Sequence, residues 1–193
     1  KVLDFGSGSG SFLYKLNFKY ESYGVEPNDF ARRASLAKGL RVVSAMKEYK
    51  VKFNMIFLWH SLEHVYDINK TINEFSKKIN SKSILVIALP NIRSFDAKKY
   101  KSFWAGYDVP RHLWHFTEGG IIDFLESLEI SFTASKSPTD AIAKPASTTS
   151  TFRLSKTSNT FNFSSRFIEQ PGDCSPSLSV VSKIVILLFS FIT

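Results

Sequence analysis

The sequence predicts an α/β fold: a doubly wound, mostly parallel sheet with helices on both faces. Short apolar runs alternate with segments of helical periodicity between residues 1 and 135, which is typical of strands joined by helical crossovers. Two of these runs, residues 53–59 and 83–89, are almost continuously apolar, as expected for parallel strands buried on both faces. A glycine-rich stretch at residues 6–10 directly follows the first run, and such a turn leads from a strand into a helix in this fold class.

The first part of the chain predicts three strands and two helices. Asp29 is of a residue type preferred at helix N-caps, and Gly39 is of the type preferred just beyond a helix C-terminus. The elements expected here are strands at residues 1–5, 22–26 and 40–43, and helices that begin at Ser11 and at Asp29.

The next part predicts strands at residues 53–59 and 83–89 with a helix between them, and a further helix after Thr117. Asp67 can cap the first of these helices, whose apolar residues recur at helical spacing. Thr117 can cap the second, and residues 130–134 alternate weakly, as a sixth strand would. The carboxyl ends of parallel strands meet at one edge of the sheet, so we expect a single ligand site built from several loops there.

Beyond residue 135 the character of the chain changes. Residues 136–177 are rich in Ser, Thr and Pro and lack periodicity, which indicates a linker or a disordered segment. Residues 178–193 form an apolar tail that contains Lys183 and is shorter than the ~20 apolar residues of a spanning helix. This tail can be a last sheet strand, an interfacial anchor or a spanning helix cut short, so a peripheral membrane contact is left open.

Composition narrows the function classes. The formal net charge is +8, but the basic residues occur singly or in pairs, which favours a solvated surface over a nucleic-acid interface. Cys174 is the single cysteine of the chain, so no intrachain disulfide can form. We therefore expect a reducing compartment, the cytoplasm, and no nucleic-acid partner.

The glycine spacing indicates a cofactor with a nucleoside. Gly6, Gly8 and Gly10 give G-x-G-x-G, whereas the dinucleotide fingerprint is G-x-G-x-x-G and Ser11 occupies the place of its third glycine. Glycines allow a ligand to approach the main chain closely, and Glu26 follows the second strand, where a carboxylate can accept hydrogen bonds from ribose hydroxyls.

Residues 4–10 resemble motif I of the class I S-adenosylmethionine-dependent methyltransferases, which have a Rossmann-like fold. Residues 62–65, Leu-Glu-His-Val, resemble a segment of the ubiquinone-biosynthesis type and its uncharacterised relatives, and residues 108–113 resemble a segment of one branch of them. The resemblance covers residues 1–135. Members of this family carry helices before motif I. Because the first predicted strand of this sequence begins at residue 1, we expect a chain truncated at its N-terminus.

The resemblance implies S-adenosylmethionine as the cofactor and a set of residues that bind it. Motif I would wrap the methionine end of the cofactor, and Glu26 would hold the ribose. The expected cofactor-binding residues are Asp4, Gly6, Ser7, Gly8, Gly10, Glu26, Pro27 and His60.

Methyl transfer from a sulfonium is an in-line displacement, so positioning supplies much of the acceleration and a base is needed only for acceptors that must lose a proton. We expect His60 and His112 as catalytic residues, because imidazole titrates near neutral pH. We expect Trp104, Arg111 and His115 to contact the acceptor, because they lie in an aromatic and basic stretch between a strand and a helix that can close over it. The alternative is that its aromatic rings fill core beneath a long loop. The acceptor is expected to be a small molecule or a lipid-linked glycan precursor, methylated on oxygen or nitrogen.

Two alternatives stay open from the sequence. His60, Glu63 and His64 satisfy H-x-x-E-H, a zinc hydrolase pattern, but this pattern requires a helix and a third ligand that the sequence does not mark. We therefore expect no bound metal. The other alternative is an inactive or fragmentary domain that binds the cofactor without turnover.

Overall fold

A computed structural model describes residues 1–80, 82–127, 132–135, 153–157, 160–164 and 182–189. The chain divides into two compact units, one formed by residues 1–134 with 179–193 and the other by residues 135–178. Cys174, most of the segment 136–177 and the two ends of the apolar tail lie outside the described residues.

The first unit follows the predicted alternation of strands and helices. Its strands are β1 (Val2–Phe5), β2 (Ser22–Val25), β3 (Val42–Val43), β4 (Met55–Trp59), β5 (Ile84–Pro90) and β6 (Phe132–Ser135). Its helices are α1 (Ser11–Asn17), α2 (Asp29–Leu36), α3 (Ile68–Lys78), α4 (Phe95–Tyr100) and α5 (Glu118–Ser127). Short 3₁₀ turns lie at Met46–Glu48, Leu62–His64, Lys101–Phe103 and Ala105–Tyr107.

Seven strands form one sheet, and its order confirms the doubly wound prediction. The order is β3-β2-β1-β4-β5, then β9 (Ser182–Phe189), then β6. The strands from β3 to β5 pair in parallel, and β9 pairs in parallel with β5 from Ile84↔Lys183 to Pro90↔Phe189. Because β1, β2, β4 and β5 run parallel to one another, their carboxyl ends lie along one edge of the sheet.

The described part of the apolar tail is therefore a sheet strand, which is one of the three forms left open by the sequence. Among the helices that the structure describes, none has the length and apolar composition needed to cross a bilayer.

Helices cover both faces of the sheet, as the strand side chains show. Ile56 and Leu58 of β4 belong to the main core cluster with residues of α3 and α5. Phe57, between them, faces the other way, and its ring lies 5.1 Å from that of Phe12 in α1. Alternation along a strand sends successive side chains to opposite faces, so β4 is buried on both.

The second unit contains a β-hairpin. Its strands are β7 (Arg153–Thr157) and β8 (Thr160–Ser164), which pair antiparallel from Arg153↔Ser164 to Thr157↔Thr160. These ten residues lie within the segment that composition indicates as a linker, and the rest of that segment is outside the described residues.

The element bounds differ from the predictions by one or two residues, for local reasons. Asn28, not Asp29, caps α2, and its side chain accepts a hydrogen bond from the backbone N–H of Ala31 at 3.0 Å. Strand β4 begins two residues late because the backbone N–H of Phe53 donates to the carbonyl of Lys78 at the end of α3. The predicted cap at Asp67 is confirmed, with its side chain accepting from the N–H of Lys70.

Candidate functional site

The turn between β1 and α1 has the backbone conformation that its glycines predict. Gly6, Gly8 and Gly10 have φ angles of 75°, 54° and 81°, all in the left-handed region that strongly favours glycine. The carbonyl of Ser7 accepts from the N–H of Gly10 at 2.9 Å, which closes the turn. The sequence pattern therefore places a sharply bent main chain at the carboxyl edge of the sheet.

The three glycines have different steric surroundings. A Cβ added at Gly6 would lie 2.6 Å from Cβ of Ser61, and one at Gly10 would lie 2.5 Å from Cδ1 of Leu40. At Gly8 the same atom would meet no heavy atom of the described residues within 4 Å. Gly6 and Gly10 thus serve internal packing, whereas Gly8 presents bare main chain to open space where a ligand can press against it.

Glu26 connects the glycine turn to the end of β2. Its side chain is buried, Oε2 accepts from the N–H of Gly8 at 2.8 Å, and Oε1 accepts from the N–H of Asn28 at 2.8 Å. A carboxylate offers about four lone-pair positions, so each oxygen keeps capacity to accept a further hydrogen bond. The two hydrogen bonds hold the Glu26 carboxylate beside the open face of Gly8.

Asp4 lies beneath the same turn, in β1, and is almost fully buried. Burial, and to a smaller extent the neighbouring Glu26 carboxylate, raise the pKa of its carboxyl from 3.8 to about 7. Two carboxyl groups thus lie close together at one edge of the sheet, and Asp4 is held mostly in its neutral form below about pH 7.

The raised pKa of Asp4 predicts a pH dependence of stability. Between about pH 4 and pH 7 the folded protein holds a proton on Asp4 that the unfolded chain has lost, so the free energy of unfolding falls as pH rises. The full cost, on the order of 4 kcal/mol, is reached above pH 7. Asp4→Asn is expected to remove this slope and to raise the melting temperature at pH 8 above that of the wild type. Thermal unfolding of both proteins from pH 5 to pH 8 checks this prediction. Parallel curves of melting temperature against pH for the two proteins would refute it.

His60 ends β4 at the same edge of the sheet as the glycine turn. Its φ is 47°, an unusual value for a non-glycine residue, and its side chain is about a third exposed. Backbone strain of this kind is often found at functional positions. Its Nδ1 lies 3.4 Å from Oε1 of the buried Glu63. His60 thus lies at the carboxyl edge of the sheet, and its predicted catalytic role stays a prediction.

The segment that matches the zinc hydrolase pattern does not form the α-helix that this pattern requires. His60 lies at a strand end in a left-handed conformation, and Glu63 and His64 fall in the 3₁₀ turn Leu62–His64. The two histidines are therefore not one turn apart on a single α-helix, which the H-x-x-E-H pattern needs to aim both rings at one ion.

The aromatic and basic stretch packs onto the Leu62–His64 turn. The N–H of Leu113 donates to the carbonyl of Glu63 at 2.8 Å, and the indole N–H of Trp114 donates to the carbonyl of Val65 at 2.7 Å. Residues 104–116 thus lie against the segment that follows β4.

The predicted acceptor residues differ in exposure. Trp104 is buried, its ring lies 5.2 Å from that of Tyr107, and Gly106 packs directly on it. Arg111 is exposed and binds Asp108 through Nε at 3.1 Å and Nη2 at 2.8 Å, which helps to hold the pKa of that carboxyl below its usual range. His115 is exposed, with Nε2 2.9 Å from the carbonyl of Tyr107. Arg111 and His115 face solvent, whereas Trp104 supports the loop from within.

Sequence reasoning missed three residues that shape the turn. The hydroxyl of Ser35 donates to the carbonyl of Gly8 at 2.9 Å, and Lys38 Nζ donates to the carbonyl of Ser9 at 2.6 Å. Ser61 packs against Gly6. These contacts join elements distant in sequence, and serine and lysine at such positions carry no motif that could have marked them.

A comparison with protein families gives one match, to a methyltransferase domain family, over residues 1–128. No curated protein sequence matches the chain. The family match spans β1 to the end of α5, and therefore contains the glycine turn, Glu26, His60 and the aromatic stretch.

Solved structures with similar folds include three methyltransferases. A SAM-dependent methyltransferase from Thermotoga maritima, described as a possible histamine N-methyltransferase, has 18% identity and a TM-score of 0.55, covering 66% of this chain and 62% of that one. The plantazolicin methyltransferase BpumL, solved with a desmethyl-plantazolicin analogue and S-adenosylhomocysteine, has 14% identity and a TM-score of 0.53, covering 66% and 54%. A SAM-dependent methyltransferase from Archaeoglobus fulgidus has 25% identity and a TM-score of 0.51, covering 66% and 59%.

This chain thus spans less than two thirds of the length of each of these three proteins. The family match covers more than half of the chain, and the parallel sheet, the glycine turn and the carboxylate after β2 agree with it. The chain belongs to the methyltransferase domain family of class I S-adenosylmethionine-dependent methyltransferases, whose cofactor is S-adenosylmethionine.

Proposed function

We propose that this chain binds S-adenosylmethionine across the glycine turn and transfers its methyl group to an oxygen or nitrogen of a small molecule or a lipid-linked precursor. The observation that carries the proposal is the pairing of Gly8 and Glu26. Gly8 leaves its main chain open to a ligand, and its N–H holds the buried carboxylate in position beside that opening.

The residues present fit the cofactor. The methionine end would lie along Gly6, Ser7, Gly8 and Gly10 above Asp4, and the buried Glu26 carboxylate nearby favours a cation. The buried Ser7 hydroxyl has no hydrogen-bond partner among the described residues, so it is available to a polar ligand group. The ribose would be held by the remaining acceptor positions of Glu26, with Pro27 and His60 bordering the adenosine.

Catalysis would rest mainly on positioning. S-adenosylmethionine supplies an activated methyl group, and the chain has to align the acceptor with it. His60 is the proposed proton acceptor for a hydroxyl or amine, because it lies at the end of β4, at the same edge of the sheet as the glycine turn. His112 is the second candidate. Arg111 and His115 are the proposed acceptor contacts, and Arg111 suits an acidic or phosphate-bearing group. Trp104, which is buried, would act by shaping this loop.

The glycine turn supplies a test with a matched control. Gly8→Ala and Gly39→Ala both place a Cβ in open space at a positive φ, 54° and 75°, so both should cost a similar amount of stability, about 1 kcal/mol. Only Gly8→Ala is expected to lose S-adenosylmethionine binding, because its Cβ would occupy the space that the methionine end needs. Calorimetric titration of both variants measures this, and equal affinities would show that the cofactor does not pass over Gly8.

A turnover assay tests the proposed methyl transfer. Purified chain is incubated with S-adenosylmethionine and a panel of phenols, carboxylic acids, amines and lipid-linked sugars, and S-adenosylhomocysteine is measured. We expect S-adenosylhomocysteine to be released with a subset of these acceptors. If His60 is the base, His60→Asn is expected to lower the rate of methyl transfer by roughly 10²–10⁴-fold. Cofactor binding without release by any acceptor would favour the inactive domain instead.

A further inference from the structure

Glu63 carries a buried carboxyl group to which the proposed cofactor site gives no role. Its side chain is fully buried, and neither oxygen accepts a hydrogen bond from any residue in the described part of the chain. Burying a carboxyl group without hydrogen-bond donors is costly, so such a group needs a partner. Nδ1 of His60 lies 3.4 Å from Oε1, which places the imidazole ring within reach of the carboxyl group.

The main chain holds these two side chains at this separation. His60 has a φ of 47° and donates its N–H to the carbonyl of Ala88 in β5 at 3.1 Å, which anchors it to the sheet. The carbonyl of Glu63 accepts from the N–H groups of Leu113 and Trp114, at 2.8 and 3.3 Å, which anchors Glu63 to the loop after β5. A non-glycine residue at a positive φ is strained and persists only where the surrounding contacts determine it.

The ring of His60 has one buried and one exposed side. Nδ1 is buried, whereas the side chain as a whole is about a third exposed, so the exposed part of the ring lies away from Nδ1. The separation of 3.4 Å from Glu63 is a few tenths of an ångström longer than an N–H···O hydrogen bond of about 2.7–3.2 Å, so a small tilt of the ring closes it. Hydrogen bonds of catalytic groups are often long before a ligand binds and shorten in the complex.

We propose that Glu63 positions His60 as the base, an inference that rests on the function proposed above. A carboxylate can only accept, so a hydrogen bond from His60 to Glu63 places the proton of the neutral ring on Nδ1. The lone pair is then on Nε2, where it can accept a proton. Because Glu63 acts through His60, it is a positioning residue.

This tautomer gives each group one task in methyl transfer. The acceptor oxygen or nitrogen forms its bond to the methyl group as the bond between methyl and sulfur breaks, and the proton of the acceptor moves to Nε2 of His60. The ring then holds a proton on both nitrogens, and the Glu63 carboxylate facing Nδ1 stabilises its positive charge. The exposed side of the ring returns the proton to solvent.

Nitrogen-15 NMR of the imidazole rings tests the tautomer without cofactor or acceptor. The chain has four histidines, so three of them serve as references. Nδ1 of His64 and Nδ1 of His112 lie 3.0 and 2.8 Å from backbone carbonyl oxygens, which can only accept, so these neutral rings carry the proton on Nδ1. Nε2 of His115 lies 2.9 Å from the carbonyl of Tyr107, so its proton is on Nε2. We expect neutral His60 to match His64 and His112 and to differ from His115.

Two variants of Glu63 identify the cause of that tautomer. Glu63→Met removes both accepting oxygens with a side chain of similar length, and Glu63→Gln keeps one accepting oxygen without the charge. We expect the Nδ1-protonated fraction of His60 to fall in Glu63→Met and to be largely retained in Glu63→Gln, with the three reference rings unchanged. Circular dichroism shows that each variant is folded. A wild-type His60 protonated on Nε2, or a folded Glu63→Met with an unchanged tautomer, would overturn the proposal.

A turnover assay then separates positioning from a merely structural role. With an acceptor that is methylated, Glu63→Met is expected to lower kcat by roughly 10–100-fold with little change in the KM for S-adenosylmethionine, and Glu63→Gln to lower it less. In a His60→Asn background, Glu63→Met should cause no further loss, because its effect passes through His60. Equal losses in both backgrounds would contradict the positioning role. A chain that methylates no acceptor would contradict the proposed methyl transfer, whereas the tautomer of His60 still decides whether Glu63 positions the ring.

Discussion

Glu26→Ala is expected to weaken S-adenosylmethionine binding by roughly 1–3 kcal/mol, which is about 5- to 150-fold in affinity. The substitution removes the carboxylate that would accept hydrogen bonds from the ribose. It also leaves the N–H groups of Gly8 and Asn28 without the oxygens that they contact at 2.8 Å, so the turn loses its support at the point where the cofactor approaches. Calorimetric titration of the wild type and the variant measures the difference.

Glu21→Ala controls for charge. Glu21 precedes the same strand, so it lies at the opposite edge of the sheet, and its removal changes the net charge by the same amount as Glu26→Ala. We expect Glu21→Ala to bind the cofactor with wild-type affinity. If the two variants lose affinity equally, or if Glu26→Ala loses none, Glu26 does not hold the ribose.

Gly10→Ala is expected to cost roughly 2–4 kcal/mol of folding stability, from overpacking and an unfavourable φ together. The added Cβ would lie 2.5 Å from Cδ1 of Leu40 and 2.7 Å from Oγ of Ser35. Leu40 is buried and Ser35 hydrogen-bonds the carbonyl of Gly8, so neither can move without disturbing the turn or the core beneath it. Urea unfolding at fixed pH measures the loss.

Gly39→Ala separates the two causes. Gly39 has φ of 75°, close to the 81° of Gly10, but its added Cβ meets no described heavy atom within 4 Å. The control should therefore show the cost of the left-handed conformation alone, about 1 kcal/mol. Equal losses in the two variants would mean that close packing against Leu40 and Ser35 is not what requires glycine at position 10.

Much of the fold could be predicted because its signals are local. The apolar runs that become β4 and β5 are continuous over a few residues, and the apolar face of α3 recurs at helical spacing. The positive φ angles of Gly6, Gly8 and Gly10 follow from glycines at a strand–helix junction. The carboxylate of Glu26 was placed correctly because it follows β2 directly and parallel strands end at one edge.

The remaining features depend on contacts between distant residues. The pairing of β5 with β9 joins residues almost a hundred positions apart, and an apolar run alone does not distinguish such a strand from a membrane-surface segment. The contact between Leu113 and the carbonyl of Glu63 depends on the loop after β5 returning to the end of β4, which no local pattern encodes.

The burial of the individual aromatic side chains in residues 104–116 could not be predicted from the sequence either. Trp104 and Trp114 have the same side chain and lie in the stretch predicted to close over the acceptor, with Trp104 predicted as an acceptor contact. The structure buries Trp104 and leaves Trp114 partly exposed with its indole N–H bound to Val65. Burial is decided by where the loop packs, and an aromatic ring serves either environment.

The most direct test of the central claim is a calorimetric titration of the purified chain with S-adenosylmethionine, repeated with Gly8→Ala and Glu26→Ala. The proposed site predicts one equivalent bound by the wild type and markedly weaker binding by both variants, each of which remains folded. A folded wild-type chain that takes up no S-adenosylmethionine, or variants that bind it as well as the wild type does, would show that the glycine turn and Glu26 do not form the cofactor site.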